Sequence, residues 1–212
     1  MVLLLNQDHL WFSITYVKNL LSGVMIKPNA KILDAAAGNR TMWITKDSPN
    51  ILYIDIEEKL SYPPDAYIDT RETGFIGKQF HTIFFDPPHE TGRTKNSTMF
   101  TTPDKKTHNR KWEKWARKGH PRYYGADKYK SHLELITYIS ESEREFRRIL
   151  VDDGLLWLKW SENKYSLNEI LECFKNWDIM LKIPVGYVGK SAYQTYWVCL
   201  MKKNEGLIQA NL

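Results

Sequence analysis

The sequence predicts a mostly parallel, doubly wound α/β sheet, and three observations carry that prediction. Short apolar runs alternate with stretches of helical period or turn composition along most of the chain. Several of those runs end in an aspartate: Asp34, Asp55, Asp69 and Asp86. The length, 212 residues with 42% hydrophobic content, suffices for one core and is short for two full domains. A single domain, residues 1–212, with one elaboration is expected.

The elements follow in order. Residues 8–22 carry Leu10, Ile14, Val17 and Leu21 at helical spacing, which predicts an amphipathic helix. Lys31 to Asp34 is a short strand. Ala35 to Arg40 is a small-residue turn, and a helix is predicted from Thr41. Strands follow at Ile51–Asp55, Ala66–Asp69 and His81–Phe85. Residues 131–150 read as a helix with Leu133, Ile136, Ile139, Phe146 and Ile149 as its apolar set. Asp152-Asp153-Gly154 reads as a turn. A strand from Leu155 to Trp160, a helix from Leu167 to Phe174, and strands at Ile179–Ile183 and Tyr193–Met201 complete the pattern. Pro184 to Lys190 suits a connection, and the tail after Lys202 is expected to fray.

Several classes are disfavoured at once. The apolar start, Met1 to Leu5, is followed by Asp8 and His9 and has no basic n-region, so no signal peptide is expected. No apolar run approaches the ~18–20 residues of a membrane span. Cys173 and Cys199 show no metal-ligand spacing, so no metal site is predicted. Together these place the chain in the cytoplasm, with buried reduced thiols and no membrane partner.

Ligands of such sheets bind at the carboxyl ends of the strands, where the strand order reverses. Asp34, Asp55, Asp69 and Asp86 all fall there. Gly38 sits on a loop otherwise built of small residues, Ala35, Ala36 and Ala37, which lets backbone approach a ligand closely. Asp55 lies seventeen positions beyond Gly38. A carboxylate about 20 residues past a glycine turn suits the two hydroxyls of a ribose. The spacing alone serves any adenosine ligand, nicotinamide and flavin dinucleotides included.

Asp86-Pro87-Pro88-His89 is the most informative tetrapeptide. Two prolines stop the preceding strand and stiffen the loop, because proline fixes φ and donates no hydrogen bond. What remains is an array of acceptors, the Asp86 carboxylate and the Pro87 carbonyl. Such an array suits an exocyclic amine. Accepting its two N–H bonds localises a lone pair that the ring otherwise shares, and the nitrogen can then attack an electrophile in line. His89 can stack on a base or hydrogen-bond to one.

These residues resemble the class I S-adenosylmethionine-dependent methyltransferases. The Asp34–Arg40 segment is similar to their nucleoside-binding loop, with Ala36 and Arg40 where the first and third glycines usually stand. Asp86-Pro87-Pro88-His89 resembles motif IV of the amino-methyltransferases of DNA and RNA, with histidine in place of the usual aromatic. The resemblance implies a Rossmann-like sheet of seven strands, mostly parallel, with an antiparallel last strand. It implies S-adenosyl-L-methionine as cofactor, held by Asp34, Ala35, Ala36, Gly38 and Asp86. Asp55 would hold the ribose, Asp69 the adenine amine, and Arg40 the methionine carboxylate through bidentate pairing. Asp86, Pro87 and His89 would serve catalysis and Pro88 the substrate.

A narrower resemblance spans about residues 30–203. Leu33-Asp34-Ala35, Gly38 to Trp43, the Asp86 tetrapeptide and Lys159-Trp160-Ser161-Glu162 are similar to a group of small methyltransferase-like proteins of phage, prophage and microbial genomes. Lys159 and Trp160 are placed beside the Asp86 loop and are expected to line a substrate pocket.

Residues 91–130 interrupt the α/β rhythm. They hold twelve Lys and Arg against three Asp and Glu, a net +9 that leaves −4 for the rest of a chain whose total is +5. Aromatic residues, Trp112, Trp115, Tyr123 and Tyr124 among them, are interleaved with the charge. Cations contact phosphates and aromatic faces stack on unpaired bases, so the segment suits a nucleic-acid strand. Arg110, Lys111, Trp112, Trp115 and Arg122 are the candidate contacts, on a segment expected to order over substrate.

The leading expectation is methylation of an exocyclic amine of a DNA or RNA base, adenine N6 first, with cytosine N4 or guanine N2 possible. Two others stay open. One is transfer to a protein amide or small amine; the other is a nucleic-acid-binding module without catalysis. Oligomeric state is not legible.

Overall fold

A computed structural model describes residues 27–58, 60–89, 91, 128–185 and 193–203. Seven strands form one sheet: β1 (Ile32–Asp34), β2 (Ile51–Asp55), β3 (Ala66–Tyr67), β4 (Phe80–Phe85), β5 (Leu150–Ser161), β6 (Trp177–Val185) and β7 (Thr195–Lys202). Their order is β3-β2-β1-β4-β5-β7-β6. The pairs from β3 to β5 are parallel, and β7 runs antiparallel to both its neighbours. This is the Rossmann-like sheet that the sequence predicts, its single reversed strand the last one. Strand order turns back between β1 and β4, which opens a crevice above their carboxyl ends.

Two helices are described, α1 (His132–Ile149) and α2 (Leu167–Leu171), the second running into a 3₁₀ turn. Each starts where a serine caps it: Ser131 accepts from the Glu134 N–H, and Ser166 forms a reciprocal capping box with Glu169. Helix α1 buries Leu135, Ile139, Phe146 and Ile149 at helical spacing. They pack with Leu33, Leu52, Ile54, Ile83, Phe85, Leu156 and Leu158 from one face of the sheet. Each large side chain buried there contributes about 1.5–3 kcal/mol. The opposite face carries a separate cluster, with Ala37, Ile51 and Tyr53 buried and Ile32 and Trp43 packed against them. Phe84, Trp157 and Trp197 extend that second face as an aromatic row.

The structure corrects four expectations, the first being Leu133, which is exposed on α1 and not part of its buried face. Residues 41–50 form turns, and no helix follows β1. Gly38 and Arg40 both take left-handed backbone, at φ 49° and 53°, and the Arg40 side chain ties down Lys46 and Asp47. A chain bent twice in this way and pinned ahead cannot start a helix at once. Asp152-Asp153-Gly154 lies inside β5 and is not a turn. A Cβ at Gly154 would fall 2.6 Å from Leu150 Cγ and 3.0 Å from the His81 carbonyl, so glycine here admits a close crossing at the β4–β5 register shift. Strand β3 is only two residues long, which leaves Asp69 beyond its end. The predicted helix at 8–22 and residues 92–127 of the basic segment lie outside the described residues. No helix among the described residues is long and apolar enough to cross a membrane.

Candidate active site

Parallel pairing places the acidic residues. Register sets Asp34 of β1 opposite both Tyr53 of β2 and Phe84 of β4. Phe85 of β4 pairs with Leu158 of β5, so Asp86 and Lys159 come side by side where those strands end. Beyond β1 the backbone is stitched to both neighbours. The Ala35 N–H donates to the Phe84 carbonyl and the Ala37 N–H to the Ile54 carbonyl. Next, the Gly38 N–H donates to Asp55 Oδ2 at 2.8 Å, and the Glu57 N–H meets Asp55 Oδ1 at 2.8 Å. Asp55 is thereby held in one orientation by two backbone amides.

A cleft of about 570 Å³, its open mouth included, runs along these strand ends. Ala36, Gly38, Asp55, Ile56, Glu57 and Leu60 form one side, and Asp86 and Pro88 the other. Lys128, Tyr129 and Tyr138 complete the wall. Burial pushes the hydroxyls of Tyr129 and Tyr138 up, so both stay neutral at physiological pH. Lys128 Nζ stands 3.5 Å from the Glu57 carboxylate. An electrostatic tie thus joins the carboxyl end of the basic segment to the loop after β2.

Asp34 is fully buried behind this cleft. Its Oδ2 accepts from Trp43 Nε1 at 2.7 Å, and its Oδ1 has no partner. Burial pushes the carboxyl up to about 7; the indole bond holds it back, and the nearby Asp86 and Asp55 carboxylates add to the rise. An acid in that state accommodates a cation readily.

Asp86 is built differently. Its Oδ2 accepts from Lys159 Nζ at 2.7 Å, and its Oδ1 lies 3.0 Å from His89 Nε2. Burial alone would raise its pKa. The His89 imidazole and then the Lys159 ammonium outweigh that, and the carboxyl is held below its usual range. The Ser161 N–H points at His89 Nδ1, 3.4 Å away, which assigns the ring proton to Nε2. Oδ1 is itself buried, with His89 Nε2 as its near neighbour.

Trp160 corrects an expectation. It is fully buried in the core, donates Nε1–H to the Tyr165 carbonyl, and meets His89 edge-on with ring centroids 5.0 Å apart. It supports His89 and is not among the residues that line the cleft.

Arg40 is a second correction. Its guanidinium is spent inside the protein, on the Lys46 and Pro63 carbonyls, Asp47 and Asp65, and it stacks over the Tyr53 ring with Cζ 4.0 Å from the centroid. That cage knots the β1–β2 loop to the segment before β3, so no free fork is left for a ligand carboxylate.

Asp69 is a third. Both its oxygens accept from Arg71, and it is not among the residues that line the cleft. Its charge reaches Lys128 and Tyr129, which do line it.

Ala36, Gly38, Asp55, Asp86 and Pro88 line the cleft, and Asp34, Ala35, Pro87, His89 and Lys159 adjoin them in chain or contact. Arg110, Lys111, Trp112, Trp115 and Arg122 lie outside the described residues. Sequence reasoning missed Trp43 as the Asp34 donor, Ile56 and Leu60 as apolar wall, and Tyr138 on α1. Ile56 carried a signal, an apolar residue directly after the ribose-type acid. Among the described residues, no group of three or more His, Cys, Asp and Glu is placed to hold a metal ion.

No protein-family model and no curated protein sequence matches the chain. Among solved structures it is similar to the PH0226 protein of Pyrococcus horikoshii, at 13% identity and TM-score 0.48, over 93% of this chain and 92% of that one. It is also similar to a 1,6-didemethyltoxoflavin-N1-methyltransferase of Burkholderia thailandensis, at 10% identity and TM-score 0.47, over 92% and 81%. A third is TrmN of Thermus thermophilus, at 14% identity and TM-score 0.45, where 87% of this chain covers 48% of that one. Likeness at this level concerns backbone arrangement, and the chemistry rests on the residues described above.

Proposed function

We propose that the chain is an S-adenosylmethionine-dependent methyltransferase acting on an exocyclic amine of a nucleic-acid base, with adenine N6 the favoured target. One observation carries the reading. An ionised carboxylate, Asp86, lines the same cleft as an amide-locked acid of the ribose-binding kind, Asp55. The cofactor fits the residues present. The cleft is lined on the β1 side by Ala36 and Gly38, which add little bulk, and Asp34 Oδ1 is an orphaned buried acceptor behind it. Asp55 would take the ribose hydroxyls, Ile56 and Leu60 the adenine faces, and Asp34 the positive charge. When bound, the cofactor supplies an electrophilic methyl group.

The chain's own residues do the rest. The Asp86 carboxylate and the Pro87 carbonyl accept the two N–H bonds of the target amine and fix its lone pair in line. The prolines keep both acceptors from relaxing as positive charge develops on nitrogen. After transfer, Asp86 takes the surplus proton and passes it to solvent. The +9 segment beginning at Thr91 supports a polyanionic substrate, DNA or RNA. A duplex would have to present the base flipped.

The purified protein is incubated with methyl-labelled S-adenosylmethionine and, separately, DNA, RNA and protein extract, with Asp86→Ala as control. Label entering one nucleic acid and absent with the variant is expected. Label in protein alone would move the substrate to a side-chain amide. Failure of the cofactor to bind would remove the enzyme reading and leave a nucleic-acid-binding module.

A further inference from the structure

The Asp86 carboxylate is paired with a lysine from the next strand, an expensive arrangement if Asp86 had only to accept hydrogen bonds. The Asp86 Oδ2–Lys159 Nζ pair is part-buried, with side chains 18% and 29% exposed. An ammonium has three donors. Among the described residues Nζ meets one acceptor, Asp86 Oδ2, and otherwise stands 5.9 Å over the Trp197 ring. Two N–H bonds are therefore left over next to Asp86, which itself lines the cleft. Lys159 is also fixed in place, because it projects from β5 one residue past Leu158, which is paired to β4.

An acceptor and a donor 2.7 Å apart on adjacent strand ends form a two-point reader. Its complement is a donor and an acceptor on neighbouring atoms of one rigid edge. An amine on a ring carbon next to an unprotonated ring nitrogen has that edge: N6 and N1 of adenine, or N4 and N3 of cytosine. A simple alkyl amine has no such acceptor, and in its protonated form Lys159 would repel it.

We infer that Lys159 is a specificity-determining residue that donates a hydrogen bond to the ring nitrogen beside the methylated amine, while Asp86 accepts from the amine itself. The substrate class is then a base with an amine–imine edge. This rests on the methyltransferase reading above. It also gives the ion pair a task that neutralising Asp86 would not require. Losing the ring acceptor leaves a buried ammonium N–H unpaired, which is costly in a desolvated site.

The experiment uses the full chain, labelled S-adenosylmethionine and random-sequence single-stranded DNA and RNA pools. In parallel pools adenine is replaced by 1-deazaadenine or 7-deazaadenine, and cytosine by 3-deazacytosine. If adenine is the target, 1-deazaadenine should lower kcat/KM by about tenfold or more, as expected for one lost hydrogen bond to a charged donor, while 7-deazaadenine stays within about threefold. If cytosine is the target, 3-deazacytosine should show the same loss. With Lys159→Met the natural and deaza bases should react at similar rates. Wild-type enzyme that methylates natural and deaza bases equally overturns the inference and leaves the methyltransferase reading standing. So does Lys159→Met that keeps the full discrimination. No label in any pool, with the cofactor bound, overturns the nucleic-acid reading and the inference with it. The wild-type comparison of pools decides the matter even if Lys159→Met fails to fold.

Discussion

The two halves of the cleft hold their acids in opposite ways. On the β1–β2 side, Asp34 is bonded by a neutral indole and Asp55 by two backbone amides. No cation is among those bonds. On the β4–β5 side, Asp86 is bonded by the Lys159 ammonium and faces the His89 imidazole. A ligand that brings its own positive charge suits the first half, where Asp34 and Asp55 meet no ammonium or guanidinium among the described residues. A neutral group that only needs its N–H bonds accepted belongs in the second. Under the proposed function, the first half would take the sulfonium cofactor and the second the uncharged amine.

The sharpest way to break this comparison is to empty each half separately. Asp86→Ala should lower the transfer rate by about 10³-fold or more, because it removes a group that orients the nucleophile and meets the developing charge. Cofactor affinity by calorimetry should stay within about threefold. A variant that loses cofactor binding instead would place Asp86 in the wrong half. Asp55→Ala should do the reverse, weakening cofactor binding by about 10- to 100-fold, the equivalent of about 1.4–2.7 kcal/mol. Unchanged affinity would remove the ribose assignment.

A pH titration sharpens the same point. The free-state pKa of Asp34 is raised to about 7 from an ordinary 3.8. Its unfolded form ionises first, so folding stability contributed by this group falls as pH rises from about 4 to about 7. A bound cation favours the ionised form and reverses the balance. Cofactor affinity should therefore rise with pH, by up to about tenfold per unit below 7, and level off above it. Calorimetry at pH 6.5 in buffers of different ionisation enthalpy should report a proton released. A flat profile from pH 6 to 8 would take Asp34 out of the cofactor's reach.

Arg40→Ala has the smallest expected effect on ligand binding and a large one on folding. Its cage includes Asp65, which keeps Lys27 at 2.7 Å, so the loss is mainly of the bonds to the Lys46 and Pro63 carbonyls and costs about 1–3 kcal/mol, visible as a lower Tm. Cofactor affinity of the folded fraction should change by less than about twofold. A tenfold loss there would restore Arg40 to the ligand.

The sheet was legible because parallel strands buried on both faces announce themselves as short apolar runs, and the first four of these runs lead into an aspartate. The strand-end positions of the Asp86 tetrapeptide and Asp55 were legible for the same reason, since polar residues at strand ends interrupt an apolar pattern. Arg40 was not. A guanidinium in a nucleoside loop looks like a ligand clamp, and its true partners, Asp47, Asp65 and the Pro63 carbonyl, are brought to it by a left-handed turn that sequence does not mark. Trp160 was read as pocket lining because it adjoins Lys159. Strand alternation turns neighbours to opposite faces, and the tryptophan went to the core. Trp43 was visible in the motif, but its bond to Asp34 depends on the unexpected absence of a helix at 41–50.

Both roots of the basic segment are fastened to the scaffold by contacts of their own. At one root Thr91 is held by the Tyr165 hydroxyl, 2.7 Å away, and by Lys164. At the other, Lys128 is tied to Glu57 and the Tyr129 ring packs 4.8 Å from that of Tyr138. The anchors belong to the sheet, its loops and helix α1, not to whatever runs between them. Closing a loop of different length across fixed ends changes the entropy only logarithmically. The molecule is in that sense a socket. Its sheet and strand ends form a constant part, so resizing or replacing residues 92–127 should leave the packing of that part unchanged.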